Sequence, residues 1–324
     1  MSLLPTSPAH ALSERPMSKK WLVDQLWTNE GVGIIGGEPK CCKSFMALSM
    51  AIAVSSGTPC LGEYDVPNNG RVVLFAAEDA PHIVKGRLDG LCQSYGLNLE
   101  SLDILVITVP VLRLDRSDDQ KKLKNTIEKL RPKLLIIDPF VRIHRIDENA
   151  SGEVAPILAS LRELQRLYKT AIAVVHHAKK SAASARAGQA LRGSSEFHAW
   201  GDVNLYLRRN RQDDLSLSIE HRDAKSLSGI PLRLIEGNGS IKLGVTDKHQ
   251  GPKQLSIVQK IEEIFKEIDS PLPLAEIRSR IGVRAERVSQ AVKEMIESGR
   301  LEKVPGGYRP PNSQQFTRSV PVHS

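Results

Sequence analysis

The sequence lacks the features that anchor a protein in a membrane or that hold it together through disulfides or metal clusters. No apolar run approaches the ~20 residues that a membrane-spanning helix needs. Residues 1–20 contain no apolar core followed by a cleavage site, so we expect a loose tail and not a signal peptide. The four cysteines, Cys41, Cys42, Cys60 and Cys92, lack metal-ligand spacing. They indicate reduced thiols, a cytoplasmic protein and no membrane partner.

Charge and length set looser limits on the fold and on the partners. The chain has 324 residues and a formal net charge of +8. This length allows one large domain and one small one. A basic balance is mild support for a polyanionic partner, but many basic proteins bind no nucleic acid.

The segment GGEPKCCKS, residues 36–44, is the most informative part of the chain. Its spacing matches the phosphate-binding pattern G-x-x-x-x-G-K-[ST], with Cys42 in place of the last glycine. An apolar segment precedes it and a helix-forming segment follows, the setting in which backbone N–H groups bind phosphates. An ordinary strand–helix turn is the weaker alternative. The predicted ATP-binding residues are Gly37, Glu38, Pro39, Lys40, Cys41, Cys42, Lys43 and Ser44.

Within this loop, Lys43 is expected to contact the β- and γ-phosphates and Ser44 to ligate Mg²⁺. If position 42 requires a left-handed backbone, a residue other than glycine costs about 1–2 kcal/mol there. Cysteine is small and not β-branched, so we expect the loop to form and to bind ATP. The rate of hydrolysis is left open by this substitution.

Two carboxylates follow other predicted strands. Asp138 ends an apolar strand at 133–137, where P-loop enzymes place the aspartate of the Mg²⁺ site. Glu78 and Asp79 follow the strand at 71–75, and carboxyl ends of parallel strands face the ligand crevice. A carboxylate there can activate the attacking water. We assign that role to Glu78 and helix capping to Asp79.

The segment from 173 to 195 carries a histidine pair and then a run of cations. His176 and His177 end a predicted strand, which fits equally a γ-phosphate sensor and a strand end without a ligand. The segment beyond contains small residues and no acid until Glu196. A mobile contact to a nucleic-acid backbone needs such a segment, a solvated loop being the alternative. Its predicted DNA contacts are Lys179, Lys180, Arg186 and Arg192.

Alternating apolar runs and helical patterns predict an α/β fold with a mainly parallel sheet over residues 21–243. The predicted strands are 32–35, 71–75, 104–109, 133–137, 171–176, 203–207, 215–220, 232–235 and 241–243. The predicted helices are 43–55, 83–95, 118–130 and 154–168. Few helices follow the fifth strand, so we expect the late strands to form antiparallel hairpins at a sheet edge.

The remaining residues predict a linker at 244–254, a small domain at 255–310 and a disordered tail at 311–324. Helices at 255–268, 275–281 and 285–298 precede a β-hairpin, which is the order of a winged-helix domain. The helix at 285–298 is then the recognition helix. Its predicted contacts to duplex DNA are Arg284, Arg287 and Lys293.

Taken together, GGEPKCCKS, FAAEDAP, LLIIDPFVRIHRIDENASG, VVHHAKK and LRGSS resemble, in this order, the RepA-type hexameric plasmid helicases of the RecA/DnaB-like group. The resemblance covers about residues 21–243. It implies a RecA-like P-loop NTPase core in a hexameric ring, with nucleotide at subunit interfaces and single-stranded DNA in the central channel. By position, it implies that Glu78 is the catalytic glutamate, Asp138 the Walker B aspartate and His177 the phosphate sensor.

The arginine that acts across subunits in that family falls at Asp202 in this chain. Arg208, Arg209 and Arg222 are candidates to replace it, and Arg222 is preferred because related rings place basic residues at a late strand end. For each candidate, a surface arginine is the alternative. The winged helix lies outside the helicase core and implies a further contact to duplex DNA or to a partner protein.

Two functions follow from these residues. The first is an ATP- and Mg²⁺-dependent, ring-forming DNA motor, a helicase that replicates a plasmid or another mobile element. The second is an ATP-switched, DNA-binding adaptor or regulator in replication or transposition, without unwinding activity. The presence of Glu78, Asp138 and His177 favours the first. The second is favoured by Cys42, by the displaced arginine and by the added winged helix.

Overall fold

The computed structural model describes residues 6–9, 21–177, 196–209, 214–237, 240–246, 257–268, 270–281 and 285–311. The chain divides into two compact units, Met1–Asp247 and Lys248–Ser324. Most of the predicted linker and most of each predicted tail lie outside the described residues.

The first unit alternates strands and helices over most of its length. Its strands are β1 Trp21–Val23, β2 Trp27–Thr28, β3 Val32–Gly37, β4 Val72–Ala76, β5 Ile104–Val106, β6 Leu134–Asp138, β7 Ala171–His177, β8 Val203–Arg209, β9 Leu215–His221, β10 Leu227–Gly237 and β11 Ser240–Val245. Its helices are α1 Lys43–Ser56, α2 Pro81–Ser94, α3 Ser117–Leu130, α4 Ser151–Tyr168 and α5 Glu196–Trp200.

Nine of these strands form one sheet in the order β11-β10-β9-β8-β3-β7-β6-β4-β5. Strands β8, β3, β7, β6, β4 and β5 are parallel, whereas β9, β10 and β11 extend the sheet as antiparallel neighbours. Helices α1 to α4 lie in the connections between the parallel strands from β3 to β7. The predicted α/β fold with a mainly parallel sheet and late antiparallel strands is confirmed.

Apolar side chains fill both faces of this sheet. All six residues of β3 are buried, as are the first four of β6 and six of the seven in β7. Strands buried on both faces consist of continuous apolar residues, which made them recognisable in the sequence. Gly33 permits a close approach of β3 to β8, because an added Cβ would lie 1.6 Å from the Val203 carbonyl oxygen.

The sequence did not predict the hairpin of β1 and β2 or the five-residue helix α5. Both are too short to show a hydrophobic period. The indole of Trp27 is fully buried and donates to the Gly31 carbonyl, so the hairpin packs on the start of β3. Among the described residues, no helix combines the length and the apolar character needed to cross a bilayer.

The second unit has three helices, α6 Ile257–Glu267, α7 Leu274–Ile281 and α8 Ala285–Glu297. They are followed by an antiparallel pair, β12 Glu302–Val304 and β13 Gly307–Arg309. The unit has an apolar core of its own, which includes Ile261, Ile277, Val288 and Met295. These elements follow the order expected from the sequence, and their assignment to a winged helix stays a prediction.

Candidate nucleotide-binding site

The loop between β3 and α1 has the backbone that a phosphate-binding loop requires. Cys42, the residue before α1, has φ 61° and ψ 24°, so the position that usually holds glycine is left-handed here. Lys40 is also left-handed, with φ 65°. No side chain caps α1, and its first turn contains no acid. The N–H groups at the start of α1 and the positive end of its dipole are therefore suited to an anion.

Lys43 lies folded into this loop. Its side chain is buried at 6% exposure, and its Nζ donates to the Glu38 carbonyl oxygen at 2.7 Å. Burial lowers the pKa of Lys43, whereas the neighbouring Cys41 and Asp138 raise it. A cation with so little hydration interacts strongly with an incoming phosphate.

Asp138 ends β6 and has the properties of a magnesium ligand. Loss of hydration raises the pKa of its carboxyl to about 6, with Glu78 and Asp79 adding to the rise and a hydrogen bond from Ser44 opposing it. The Ser44 side chain therefore lies near the Asp138 carboxyl. Mg²⁺ binds through carboxylate and hydroxyl oxygens together with water and phosphate oxygens, so this pair fits the ion.

The two acids after β4 have arginine partners. The Glu78 carboxylate accepts a hydrogen bond of 2.9 Å from Arg142 Nε, and both side chains are substantially exposed. Asp79 accepts a bond of 2.5 Å from Arg87 in α2. The predicted capping role of Asp79 is wrong, because Ala80 is the residue before α2 and Asp79 pairs with the body of that helix.

Strand register brings His177 beside the loop. In the parallel pair of β3 and β7, His177 is opposite Gly37 and His176 is opposite Gly36. The ring of His176 is buried and stacks on Phe197 at 4.1 Å between centroids. Of these two histidines, His177 is therefore the one placed to contact a ligand at this end of the sheet.

Arg209 lies at the loop of its own chain. Leu207 of β8 pairs with Gly37, and Arg209 follows two residues later, where its Nη2 donates to Cys42 Sγ at 3.6 Å. The sequence suggested Arg209 only as an arginine acting across subunits. Its place beside Cys42 follows from the adjacency of β8 and β3, which the sequence does not display.

Arg222 lies at the opposite end of the sheet, where β3 begins. Its Nη1 is 3.3 Å from Asp202, and its Nη2 donates to the Ala199 carbonyl. Asp202 also accepts from Arg162 at 2.5 Å and from the Val32 N–H at 3.1 Å. The role of Arg222 at a neighbouring subunit stays a prediction.

The predicted DNA contacts are mostly beyond the described residues. Lys179, Lys180, Arg186, Arg192 and Arg284 lie outside them, and of Arg287 only the backbone, within α8, is described. Lys293 is exposed on α8 and lies 4.0 Å from Glu297. The described exposed side of α8 therefore includes acids as well as a base.

Similarity to known proteins covers more than half of the chain. A family model described as an AAA domain matches residues 2–183, more than half of the sequence. The chain is similar to a separately solved ATPase domain, with a TM-score of 0.52 and 15% identity over 66% of this chain and 84% of that one. It is also similar to a DnaB-like replicative helicase, solved in a study of its interactions with primase.

For the DnaB-like helicase, the TM-score is 0.50 and the identity 17%, over 66% of this chain and 57% of that one. A match to the RadB recombinase has a TM-score of 0.48, 17% identity and coverage of 66% and 90%. At these identities the likeness to the first two structures shows the fold that this chain shares with them.

Proposed function

The chain belongs to the AAA domain family, and from that membership we propose that it is an ATP-hydrolysing DNA motor of the RepA-like helicase type. In this proposal it works in the cytoplasm as a hexameric ring, with single-stranded DNA in the central channel. It serves the replication of a plasmid or another mobile element. The fold that it shares with a separately solved ATPase domain and with a DnaB-like replicative helicase supports the choice of motor.

One observation carries the proposal: the loop, Glu78, Asp138 and His177 meet at the carboxyl end of the parallel strands. Strands β4 and β6 are neighbours in register, Ala76 with Asp138, and β7 lies between β6 and β3. Four segments of the chain, far apart in sequence, thus supply a phosphate cradle, a metal ligand, a base and a sensor.

Each residue has a defined task in the hydrolysis of ATP. The N–H groups at the start of α1 and the Lys43 ammonium bind the phosphates and stabilise their charge. Ser44 and Asp138 would hold a Mg²⁺ ion, which would supply positive charge to offset the charge of the phosphates. Glu78 accepts a proton from the attacking water, and His177 contacts the γ-phosphate.

The test is the steady-state ATPase rate with and without single-stranded DNA. The wild-type chain should turn over ATP, and DNA should raise the rate. Lys43→Ala should abolish turnover, and Glu78→Gln should lower kcat by about 10²–10⁴. Glu63→Gln removes a carboxylate that is exposed in the turn after Cys60 and serves as the matched control. A wild-type chain without turnover, or a Glu78→Gln variant equal to wild type, would contradict the proposal.

A second candidate is the ATP-switched adaptor, which binds nucleotide and DNA without unwinding. It is favoured by the left-handed Cys42 and by the engagement of Arg222 with Asp202. The same assay separates the two functions, because an adaptor binds ATP with wild-type residues yet shows no DNA-stimulated turnover and no strand displacement.

For the second unit we propose a winged helix that contacts either duplex DNA or a partner protein. The order of α6, α7, α8, β12 and β13 supports it. Removal of residues 248–324, a unit with its own core, should spare ATP binding and weaken duplex binding. Unchanged duplex affinity in the truncated chain would point to a protein partner.

A further inference from the structure

The contact between Arg142 and Glu78 has no place in the proposed hydrolysis. Arg142 ends the short 3-10 turn Phe140–Arg142 that follows β6, and Glu78 follows the neighbouring strand β4. Its Nε–H donates to Glu78 Oε1 at 2.9 Å across 64 residues of sequence. The predicted base thus has an arginine partner that sequence motifs do not reveal.

The turn that presents Arg142 is held without the Arg142 side chain. Its neighbours Phe140 and Ile143 are fully buried. Arg113 Nη1 donates to the Arg142 carbonyl at 2.9 Å and to the His144 carbonyl at 3.0 Å. Loss of the Arg142 guanidinium therefore leaves the backbone of the turn in place.

The ion pair itself contributes little to folding. The Arg142 and Glu78 side chains are 58% and 43% exposed, and exposed pairs are typically worth about 0–1 kcal/mol. A contact of this strength can be broken when ligands bind. It nevertheless directs the carboxylate to a cation, and a general base must instead lie within hydrogen-bond reach of the attacking water.

We propose that Arg142 is a positioning residue that restrains Glu78, so that the carboxylate must leave Arg142 before it can act as the base. This inference rests on the proposed function. Arg142 then lowers the ATPase rate in the absence of DNA, and part of the stimulation by DNA is the release of Glu78 from this contact.

The experiment compares full-length Arg142→Gln, Arg142→Lys and Arg145→Gln by steady-state ATPase kinetics. Arg145 is exposed three residues away, and the structure shows no ion pair for it within the described chain, so it controls for the loss of one charge. Arg142→Gln should raise the kcat measured without DNA about two- to fivefold. This factor corresponds to the free energy that an exposed ion pair typically contributes. KM for ATP and the thermal unfolding midpoint should not change.

Three further readouts separate restraint from a structural role. DNA should stimulate the ATPase rate of Arg142→Gln less than that of wild type. The stimulation should be smaller by the same factor by which the rate without DNA has risen. Arg142→Lys, which keeps a charged N–H donor, should lie closer to wild type. Glu78→Gln should remove the gain when it is combined with Arg142→Gln.

A kcat of Arg142→Gln equal to or below wild type would overturn the inference, as would the same gain in Arg145→Gln. In either case turnover that still depends on Glu78 would leave the proposed function standing. Absence of any Glu78-dependent turnover in wild type would instead overturn the proposed function and this inference together.

Discussion

The charged residues at the two ends of the central sheet differ in burial and in the partners that they have within the chain. At the carboxyl end of β3, Lys43 is buried against a backbone carbonyl and Asp138 has lost much of its hydration. At the other end, Asp202 accepts from Arg162, Arg222 and the Val32 N–H. Beside the ion pairs of Glu78 and Asp79, the first end therefore holds two buried charges that a bound ligand would satisfy. The second end satisfies its charges within the chain.

This difference teaches how to separate binding residues from structural ones in a fold with many charges. Groups whose burial is uncompensated tend to lie at functional sites, because the protein tolerates their cost for the sake of the ligand. By this criterion Lys43 and Asp138 belong to the site. Asp202, whose partners lie within the chain, belongs to the scaffold.

Asp202→Ala should give the largest change in stability. It leaves the Arg162 guanidinium without its carboxylate partner and the Val32 N–H without its acceptor, which we expect to lower the free energy of unfolding by about 2–4 kcal/mol. Denaturant unfolding followed by tryptophan fluorescence measures it, since Trp21, Trp27 and Trp200 all lie in the first unit. The matched control is Asp103→Ala, which removes an exposed pair with Arg71 and should cost less than about 1 kcal/mol. Equal losses would show that Asp202 contributes no more than an exposed ion pair and would contradict its place in the scaffold.

Asp138→Asn should raise the stability of the metal-free protein, whereas Asp202→Ala lowers it. The folded carboxyl keeps its proton up to about pH 6, whereas the unfolded one releases it near a pKa of about 3.9. The folded state therefore binds more protons in this window, and stability falls as pH rises across it. The variant lacks this fall and should be more stable than wild type by about 2–3 kcal/mol at neutral pH.

Denaturation with a chelator present, at pH values on both sides of this window, measures the difference. The gain should vanish at the acid end, where the wild-type carboxyl is protonated in both states. A variant that is less stable than wild type at neutral pH would place Asp138 among the structural charges.

Cys42→Gly should give a smaller effect at the loop. Glycine removes the cost of a left-handed cysteine, and we expect a gain of about 0.5–1 kcal/mol in the free energy of unfolding. Cys42→Ala keeps the strain and loses the contact of Sγ with Arg209, so it should show no gain. A gain in the alanine variant equal to that in the glycine variant would show that the thiol, and not the backbone, sets the cost.

Arg222→Ala has the smallest expected effect and could break the comparison. The sequence favours Arg222 as a trans-acting arginine, whereas its contacts favour the scaffold. Since its side chain is 49% exposed beside Asp202, we expect a loss of about 0.2–1 kcal/mol in stability. The kcat for ATP should remain within about twofold of wild type, whereas the loss of an arginine finger costs about 10³ or more. A fall of that size, with stability unchanged, would move Arg222 into the nucleotide site.

The sequence predicted the sheet and the residues at its carboxyl end because those features are local. Continuous apolar runs identified β6 and β7, and each ends in the polar residue of interest, Asp138 or His177. The strand order was not readable, since it depends on packing between distant segments. For that reason the approach of Arg209 to Cys42 and the contact of Arg142 with Glu78 appeared only in the structure.

The central claim is that the carboxyl end of the sheet binds nucleotide and the opposite end does not. Calorimetric titration of a non-hydrolysable ATP analogue with Mg²⁺ into wild type, Lys43→Ala and Asp202→Ala tests it most directly, under conditions in which each variant is folded. We predict one bound nucleotide per chain for wild type and for Asp202→Ala, and none for Lys43→Ala. Binding that survives Lys43→Ala and is lost in folded Asp202→Ala would contradict the account.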